Sequence, residues 1–273
     1  MNEILFSIIA GIIQGLTEFL PVSSSGHLVI FHDLFGFEFV NNLAFDAILH
    51  LGTLAAILGV FLPELWRYFL AGLQSLKKWD LRNNKEQLLA WYILVATMPA
   101  AIIGLLFGDF IESALRNLTL VGIMLIVFGI LLYLADGYSA KVKTISQLSF
   151  FDSLLVGLAQ VLALVPGVSR SGITIIAGLS RKLNRPEAAR FSFLISAPII
   201  LGAGAKKIFD LTAAASLNSA DLAALALGFI ASAATGYLAI KFFLKFLQSH
   251  SLKVFAVYRI ILGILILSIL FFK

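Results

Sequence analysis

Apolar residues run along this chain in eight long stretches separated by short polar turns. Six of them reach the ~20 residues that a bilayer-crossing helix needs. They lie at about Ala44–Pro63, Leu88–Phe107, Leu118–Ala135, Phe191–Phe209, Leu222–Lys241 and Val254–Phe272. The other two, Ile4–Gly36 and Phe150–Leu179, are each split by Ser, Gly and Pro into halves too short to cross alone. Interrupted backbone at membrane depth is tolerated only where it lines a cavity or is buried in protein. The pattern therefore predicts an all-α polytopic membrane protein with a single membrane domain: six transmembrane helices plus two re-entrant helix–break–helix hairpins.

Composition narrows the class. The 273 residues are 60% hydrophobic and 13% charged, with a mean hydropathy of +1.00. That excludes an ordinary soluble domain. Met1, Asn2 and Glu3 lack the basic start of a cleaved signal peptide, so the N-terminus is read as structure. Without cysteine there is no disulfide framework and no thiolate metal site. No nucleic-acid motif accompanies the net charge of +5, which reports topology instead.

Basic residues mark the cytoplasmic side. Arg67, Lys77, Lys78, Arg82 and Lys85 occupy a Glu64–Glu86 loop. Lys141 and Lys143 follow the third span, Arg181, Lys182, Arg185 and Arg190 follow the second hairpin, and Lys241, Lys245 and Lys253 precede the last span. Placing these inside puts fourteen of the twenty Lys and Arg in the cytoplasm. Arg116, Lys206, Lys207 and Lys273 then fall outside, while Arg170 and Arg259 lie at membrane depth. Both termini are predicted outside. Each half, approximately 1–147 and 148–273, makes an odd number of crossings, so the halves form inverted-topology repeats whose broken helices meet near the midplane.

The two breaks carry one pattern. Gly11–His27 reads GIIQGLTEFLPVSSSGH and Gly157–Ile173 reads GLAQVLALVPGVSRSGI. An ungapped offset of 146 superposes Gly11 on Gly157, Gln14 on Gln160, Ser23 on Ser169, Ser25 on Ser171 and Gly26 on Gly172. The repeat predicts that Glu18 and His27 converge with Arg170.

In the first break Gln14 and Glu18 are four apart and share a helix face. Pro21 ends that helix, Ser23, Ser24, Ser25 and Gly26 form a turn, and His27 opens the return helix. A carboxylate, hydroxyls and an imidazole supply a hard-cation ligand, nucleophiles and a general acid or base. The competing reading is small residues that merely let helices pack closely. The second break, PGVSRSGIT over Pro166–Thr174, offers turn N–H groups ahead of a helix together with the Arg170 fork, both suited to phosphate. Ser169, Ser171, Gly172 and Thr174 add donors. The competing reading pairs Arg170 structurally with an acid such as Glu18 or Asp152.

Four further groups are left open by the sequence. Asp46 and His50, four apart, either extend the site or sit at the interface. Gln160 reads first as a helix-to-helix hydrogen bond, and Arg259 either snorkels or forms a buried pair.

These residues resemble the undecaprenyl pyrophosphate phosphatase family, the bacitracin-resistance proteins, over essentially the whole chain. The marks are the Glu/Gln-x-x-x-Glu signature met by Gln14 and Glu18, the following PVSSSGH, and PGVSRSGIT. The resemblance implies an enzyme of the bacterial inner membrane with a site opening toward the periplasm. It would hydrolyse a C55 polyprenyl diphosphate to the monophosphate carrier of peptidoglycan synthesis, with a divalent cation, Mg2+ or Ca2+, and often as a homodimer. It also implies roles: Glu18 (with Gln14) for metal or diphosphate, Ser24 and His27 as nucleophile and base, Arg170 as clamp, and Ser23, Ser25, Ser169, Ser171, Gly172 and Thr174 as substrate contacts. Gln14 departs from the Glu of many members and lacks its charge. Either Ser24 or a water activated by His27 attacks.

The rival reading is a lipid-phosphate transporter or flippase, because inverted repeats with broken helices are transporter architecture. A phosphatidic-acid-type phosphatase also has a Ser-Arg-x5-His-x3-Asp element. After Ser180 and Arg181 the His position is Glu187, which excludes it.

Overall fold

The computed structural model describes residues 3–35, 42–214 and 219–272. The described residues form ten α-helices: α1 (Glu3–Phe19), α2 (Ser24–Phe35), α3 (Asn42–Ser75), α4 (Lys85–Leu115), α5 (Leu118–Tyr138), α6 (Phe150–Val161), α7 (Arg170–Ser180), α8 (Arg185–Ala214), α9 (Ser219–Phe246) and α10 (Lys253–Phe272). A 3-10 turn, Leu162–Leu164, extends α6. Among the described residues there is no strand, only an isolated bridge between Lys143 and Leu183. Six helices (α3, α4, α5, α8, α9 and α10) are long and apolar enough to cross a membrane. This is a multi-pass helical membrane protein. Gly36 and Lys273, and the side chains of Lys206 and Lys207, lie outside what is described.

All six expected spans are present, but one boundary is corrected. The chain does not leave α3 at Pro63; the helix continues to Ser75. Proline removes one backbone hydrogen bond, and membrane helices tolerate that loss. Beyond Pro63, Arg190 pairs with Glu64 at 2.5 Å, Tyr68 donates to the same carboxylate at 2.8 Å, and Arg67 pairs with Glu86 at 3.2 Å. Those contacts hold the extra turns, so Arg67 is a helical residue and the basic loop shrinks to residues 76–84.

Packing crosses between the halves. Helix α1 lies along α9 and α6 along α4, while α5 pairs with α10 and α3 with α8. Lipid and protein are equally apolar, so close backbone approach rather than burial drives such contacts. A Cβ on Gly15 of α1 would collide with the Thr235 hydroxyl and the Ser232 carbonyl of α9. Gly15→Val is therefore expected to destabilise the protein by about 1–3 kcal/mol through overpacking, read as a lowered unfolding temperature in detergent. An unchanged midpoint would mean that the α1–α9 seam is loose.

Between these layers lies an aromatic core. Phe193 stacks edge-on against Phe19 (5.3 Å) and lies 6.2 Å from both Phe61 and Phe243. Phe19 follows Glu18 directly, so this core fixes the end of α1. Two buried acids tie the turns. Asp136 accepts two bonds from Arg185 (2.5 and 3.0 Å) and one from the Leu252 N–H (3.1 Å). Asp152 takes Arg181 (2.5 Å) and Lys143 (3.2 Å). Asp152 is thus unavailable to Arg170.

Candidate active site

The two breaks are built alike. Ser23 and Ser169 both have φ 74°, a strained value for a residue with a side chain. Each hydroxyl compensates by capping the next helix. Ser23 Oγ accepts from the Gly26 N–H at 3.2 Å and Ser169 Oγ from the Gly172 N–H at 3.1 Å. Each also lies beside a second serine, Ser25 at 3.3 Å and Ser171 at 3.2 Å.

The breaks meet. Arg170 Nη2 donates to Glu18 Oε1 at 2.6 Å, joining residues 152 apart in sequence, and its Nη1 donates to the Ser192 carbonyl of α8 at 3.2 Å. The other carboxylate oxygen, Oε2, accepts from Ser24 Oγ at 2.5 Å and from Gln14 Nε2 at 3.0 Å. His50 Nε2 of α3 lies 3.6 Å from the same atom. Glu18 is only 6% exposed. A buried charge is tolerable only when paired and hydrogen-bonded, and this one has four polar neighbours.

A cavity of about 310 Å³ opens over this pair. Glu18, Arg170, Ser25, His50, Gln160, Asp46 and Arg116 supply its polar wall; Leu28, Val29, Ile199 and Ile200 are among its apolar lining.

Several expected site residues stand elsewhere. Gln14, Ser23, Ser24, His27, Ser169, Ser171, Gly172 and Thr174 are not among the cavity's lining residues; Ser24 and Gln14 adjoin it through Glu18. The groups of Ser23, Ser169, Ser171, Gly172 and Thr174 are spent on the breaks: Ser171 Oγ donates to the Leu20 carbonyl at 3.1 Å, tying one break to the other, and Thr174 Oγ1 lies 2.7 Å from both the Arg170 carbonyl and Ser192 Oγ. A Cβ on Gly172 would press to 2.9 Å from Arg259 Nη1 and 3.1 Å from Ser169 Cβ, so a larger residue there would have to shift the guanidinium.

No hydrogen bond joins His27 to Ser24. Its Nδ1 lies 2.7 Å from the Ser23 carbonyl and must carry the proton, because a carbonyl only accepts. Its Nε2 then accepts from Tyr258 Oη at 2.7 Å, the two rings lying parallel 5.8 Å apart. The neighbour of the Ser24 hydroxyl is Glu18 instead.

The sequence pattern left the remaining contributors open. Asp46 and His50 both reach the cavity, and their i, i+4 spacing was the available signal. Gln160 does donate to the Ala96 carbonyl of α4 at 2.9 Å, but it also lines the cavity. Arg259 does not snorkel, and among the described residues it pairs with no acid. Fully buried, it donates to backbone carbonyls of Pro21 (3.2 Å), Gly167 (2.8 Å) and Val168 (2.9 Å), with Leu125 and Met124 at 3.4 Å. One guanidinium staples both breaks to α5.

A hard cation is the one expected group still without residues. Among the described residues no trio of His, Asp or Glu is grouped to hold a metal ion. Near Glu18, however, the Gln14 Oε1 is buried with no hydrogen-bond partner, an unsatisfied oxygen of the kind hard cations take. The donor set fits an ion that draws its other ligands from substrate and water, as Mg2+ commonly does, and does not fit a closed protein cage.

A mostly buried arginine, a carboxylate and a hydroxyl around one cavity of a helical membrane protein are chemistry that packing alone does not call for, and related chains are similar over nearly their whole length. An undecaprenyl-diphosphatase of Desulforudis audaxviator is 44% identical over 262 residues, 96% of each chain. One of Rubrobacter xylanophilus is 44% identical over 271 residues, 99% of each, and one of Saccharophagus degradans 39% identical over 270 residues, 99% of each. The family model described as bacitracin resistance protein BacA matches residues 7–265. Both breaks and five of the six apolar spans fall within that match, which also takes in most of the sixth, and the chain belongs to the bacitracin resistance protein BacA family.

Proposed function

We propose that this chain is an undecaprenyl-diphosphatase that hydrolyses the C55 polyprenyl diphosphate to undecaprenyl phosphate and inorganic phosphate, and that it thereby supports cell-wall synthesis and bacitracin resistance. The observation that carries the site assignment is Glu18, whose two oxygens meet Arg170 on one side and the Ser24 hydroxyl on the other. Arg170 then holds the diphosphate, and the Ser25 hydroxyl reaches it from the cavity wall. As the guanidinium turns to phosphate, Glu18 is freed to take the Ser24 proton. Ser24 Oγ attacks the terminal phosphorus, the bond from phosphorus to the bridging oxygen breaks, and that oxygen leaves on the lipid monophosphate. Water then cleaves the phosphoserine to release inorganic phosphate. His27, held by Ser23 and Tyr258, orients the break rather than acting as base. Ser23, Ser169, Ser171, Gly172 and Thr174 support the substrate site by shaping the breaks. A divalent cation, Mg2+ or Ca2+, held by Glu18 and Gln14 with phosphate oxygens, would supply neutralisation of the diphosphate charge.

The same reading makes 1–147 and 148–273 inverted repeats and makes α1–α2 and α6–α7 re-entrant hairpins. It is supported by five helices in matching order in each half, by breaks with the same capped geometry, and by the exchanged packing of α1 on α9 and α6 on α4. It places the termini and the cavity mouth outside and, through the family resemblance, pairs the chain as a homodimer. The cavity is small for a ligand site, so it takes the head of the lipid and the start of its tail while the rest stays in the bilayer.

Purified protein in detergent, given polyprenyl diphosphate, is expected to release phosphate and to lose that activity to a chelator. Detergent offers no compartment to transport across, so absence of release would favour the transporter reading. Ser24→Ala is expected to lose on the order of a hundredfold or more, and acid quench should trap phosphate on Ser24. Full activity of that variant would hand the attack to water.

A further inference from the structure

We propose that Arg116 is a second phosphate-binding residue that distinguishes the diphosphate substrate from the monophosphate product; the inference rests on the phosphatase reading above. The cavity is lined by two arginine–carboxylate pairs. One is Arg170 with Glu18. The other is Arg116, at the junction of α4 and α5, whose Nη2 meets Asp46 Oδ2 at 2.5 Å.

Helix α3 sets their separation. His50 contacts Glu18 at 3.6 Å, and Asp46 lies four residues earlier on the same face. Such positions are about 5–6 Å apart at Cβ, so the second pair stands one helical turn along the cavity from the first. Asp46 is fixed from behind by His32 Nε2 at 3.0 Å. Arg116 is held more lightly. Only Nη2 is engaged, its other N–H groups have no partner among the described residues, and its side chain is 25% exposed. The structural latch at Asp136 is different: Arg185 grips that fully buried carboxylate with two nitrogens.

A diphosphate presents two anionic phosphoryl groups to two guanidinium forks, each of which suits phosphate. A monophosphate can satisfy only one. Arg116 releases Asp46 to take the second phosphoryl group and loses that partner when the bond is cleaved, which loosens the product.

The test compares inhibition by inorganic pyrophosphate and by inorganic phosphate in the full-length protein in detergent. Arg116→Gln is expected to weaken pyrophosphate about tenfold to a hundredfold and to leave phosphate within about twofold, with KM for the lipid rising more than kcat falls. Arg116→Lys should recover part of the loss. An unchanged ratio of the two inhibition constants, or an equal loss of both, overturns the proposal. If Arg116→Gln fails to fold, Asp46→Asn decides: removing the competing charge should tighten pyrophosphate, and unchanged or weaker binding overturns it. Wild-type protein that binds pyrophosphate in calorimetry but never releases phosphate from the lipid would instead sink the phosphatase reading.

Discussion

Arg170→Ala is expected to lower kcat/KM for polyprenyl diphosphate by on the order of a thousandfold, about 4 kcal/mol of transition-state stabilisation. The guanidinium spans two acceptors, Glu18 Oε1 at 2.6 Å and the Ser192 carbonyl at 3.2 Å. Its plane is therefore set by α8 before substrate arrives, and the diphosphate has only to displace the carboxylate. Arg170→Lys keeps the charge but not the fork, and should recover about tenfold of the loss. The alanine variant also strands Glu18 as a buried carboxylate without its cation, which costs about 3–5 kcal/mol of stability. Turnover and folding can be separated. Adding Glu18→Gln to Arg170→Ala removes both charges, and should restore the unfolding midpoint without restoring turnover. A folded Arg170→Ala protein within tenfold of wild-type activity would show that no diphosphate sits between the breaks.

That pairing was legible because it is encoded twice. The 146-residue offset aligns the breaks and the count of spans predicts that they converge, and Glu18 and Arg170 do meet although 152 residues separate them. The six spans were legible for a simpler reason: a long apolar run has one economical place to go. Pro63 misled because a helix stop in water is only a lost hydrogen bond in a membrane helix, and Glu64 and Tyr68 anchor the turns beyond it.

Less of the site was readable. Serine in a turn looks like a ligand, yet whether its hydroxyl faces a cavity or caps its own helix depends on backbone torsion. At Ser23 and Ser169 the torsion favours the cap. His27 is three residues from Ser24, within reach along a helix, but Tyr258 lies 231 residues away and claims its ring instead. Arg116 reads as a loop charge, since nothing local says that the α4–α5 junction folds over a cavity. Arg259 was the least legible, because its partners are backbone carbonyls that carry no side-chain signature.

Arg259→Met is accordingly expected to have the second large effect. No carboxylate contacts this guanidinium among the described residues, and the charge is dispersed over carbonyls of Pro21, Gly167, Val168, Met124 and Leu125. Three of those carbonyls belong to the breaks, where helix ends leave them without backbone partners. Removing the donor orphans them in the protein interior at about 1–3 kcal/mol each, against which the variant no longer buries a charge. The orphaned acceptors dominate, because the charge is already well solvated by dipoles while the carbonyls have no alternative donor. The net loss should be about 3 kcal/mol, seen as a fall in unfolding temperature on the order of 10 °C. Activity should fall further than the folded fraction, by on the order of a hundredfold in kcat, since misplacing reacting groups by a single ångström has that effect. Arg259→Lys separates the two consequences. A compact ammonium can serve the carbonyls of one break but not hold both, so stability should return partway while kcat stays near the methionine variant. Wild-type stability and turnover in Arg259→Met would mean that the breaks hold their own shape, and that the contact between Glu18 and Arg170 needs no staple behind it.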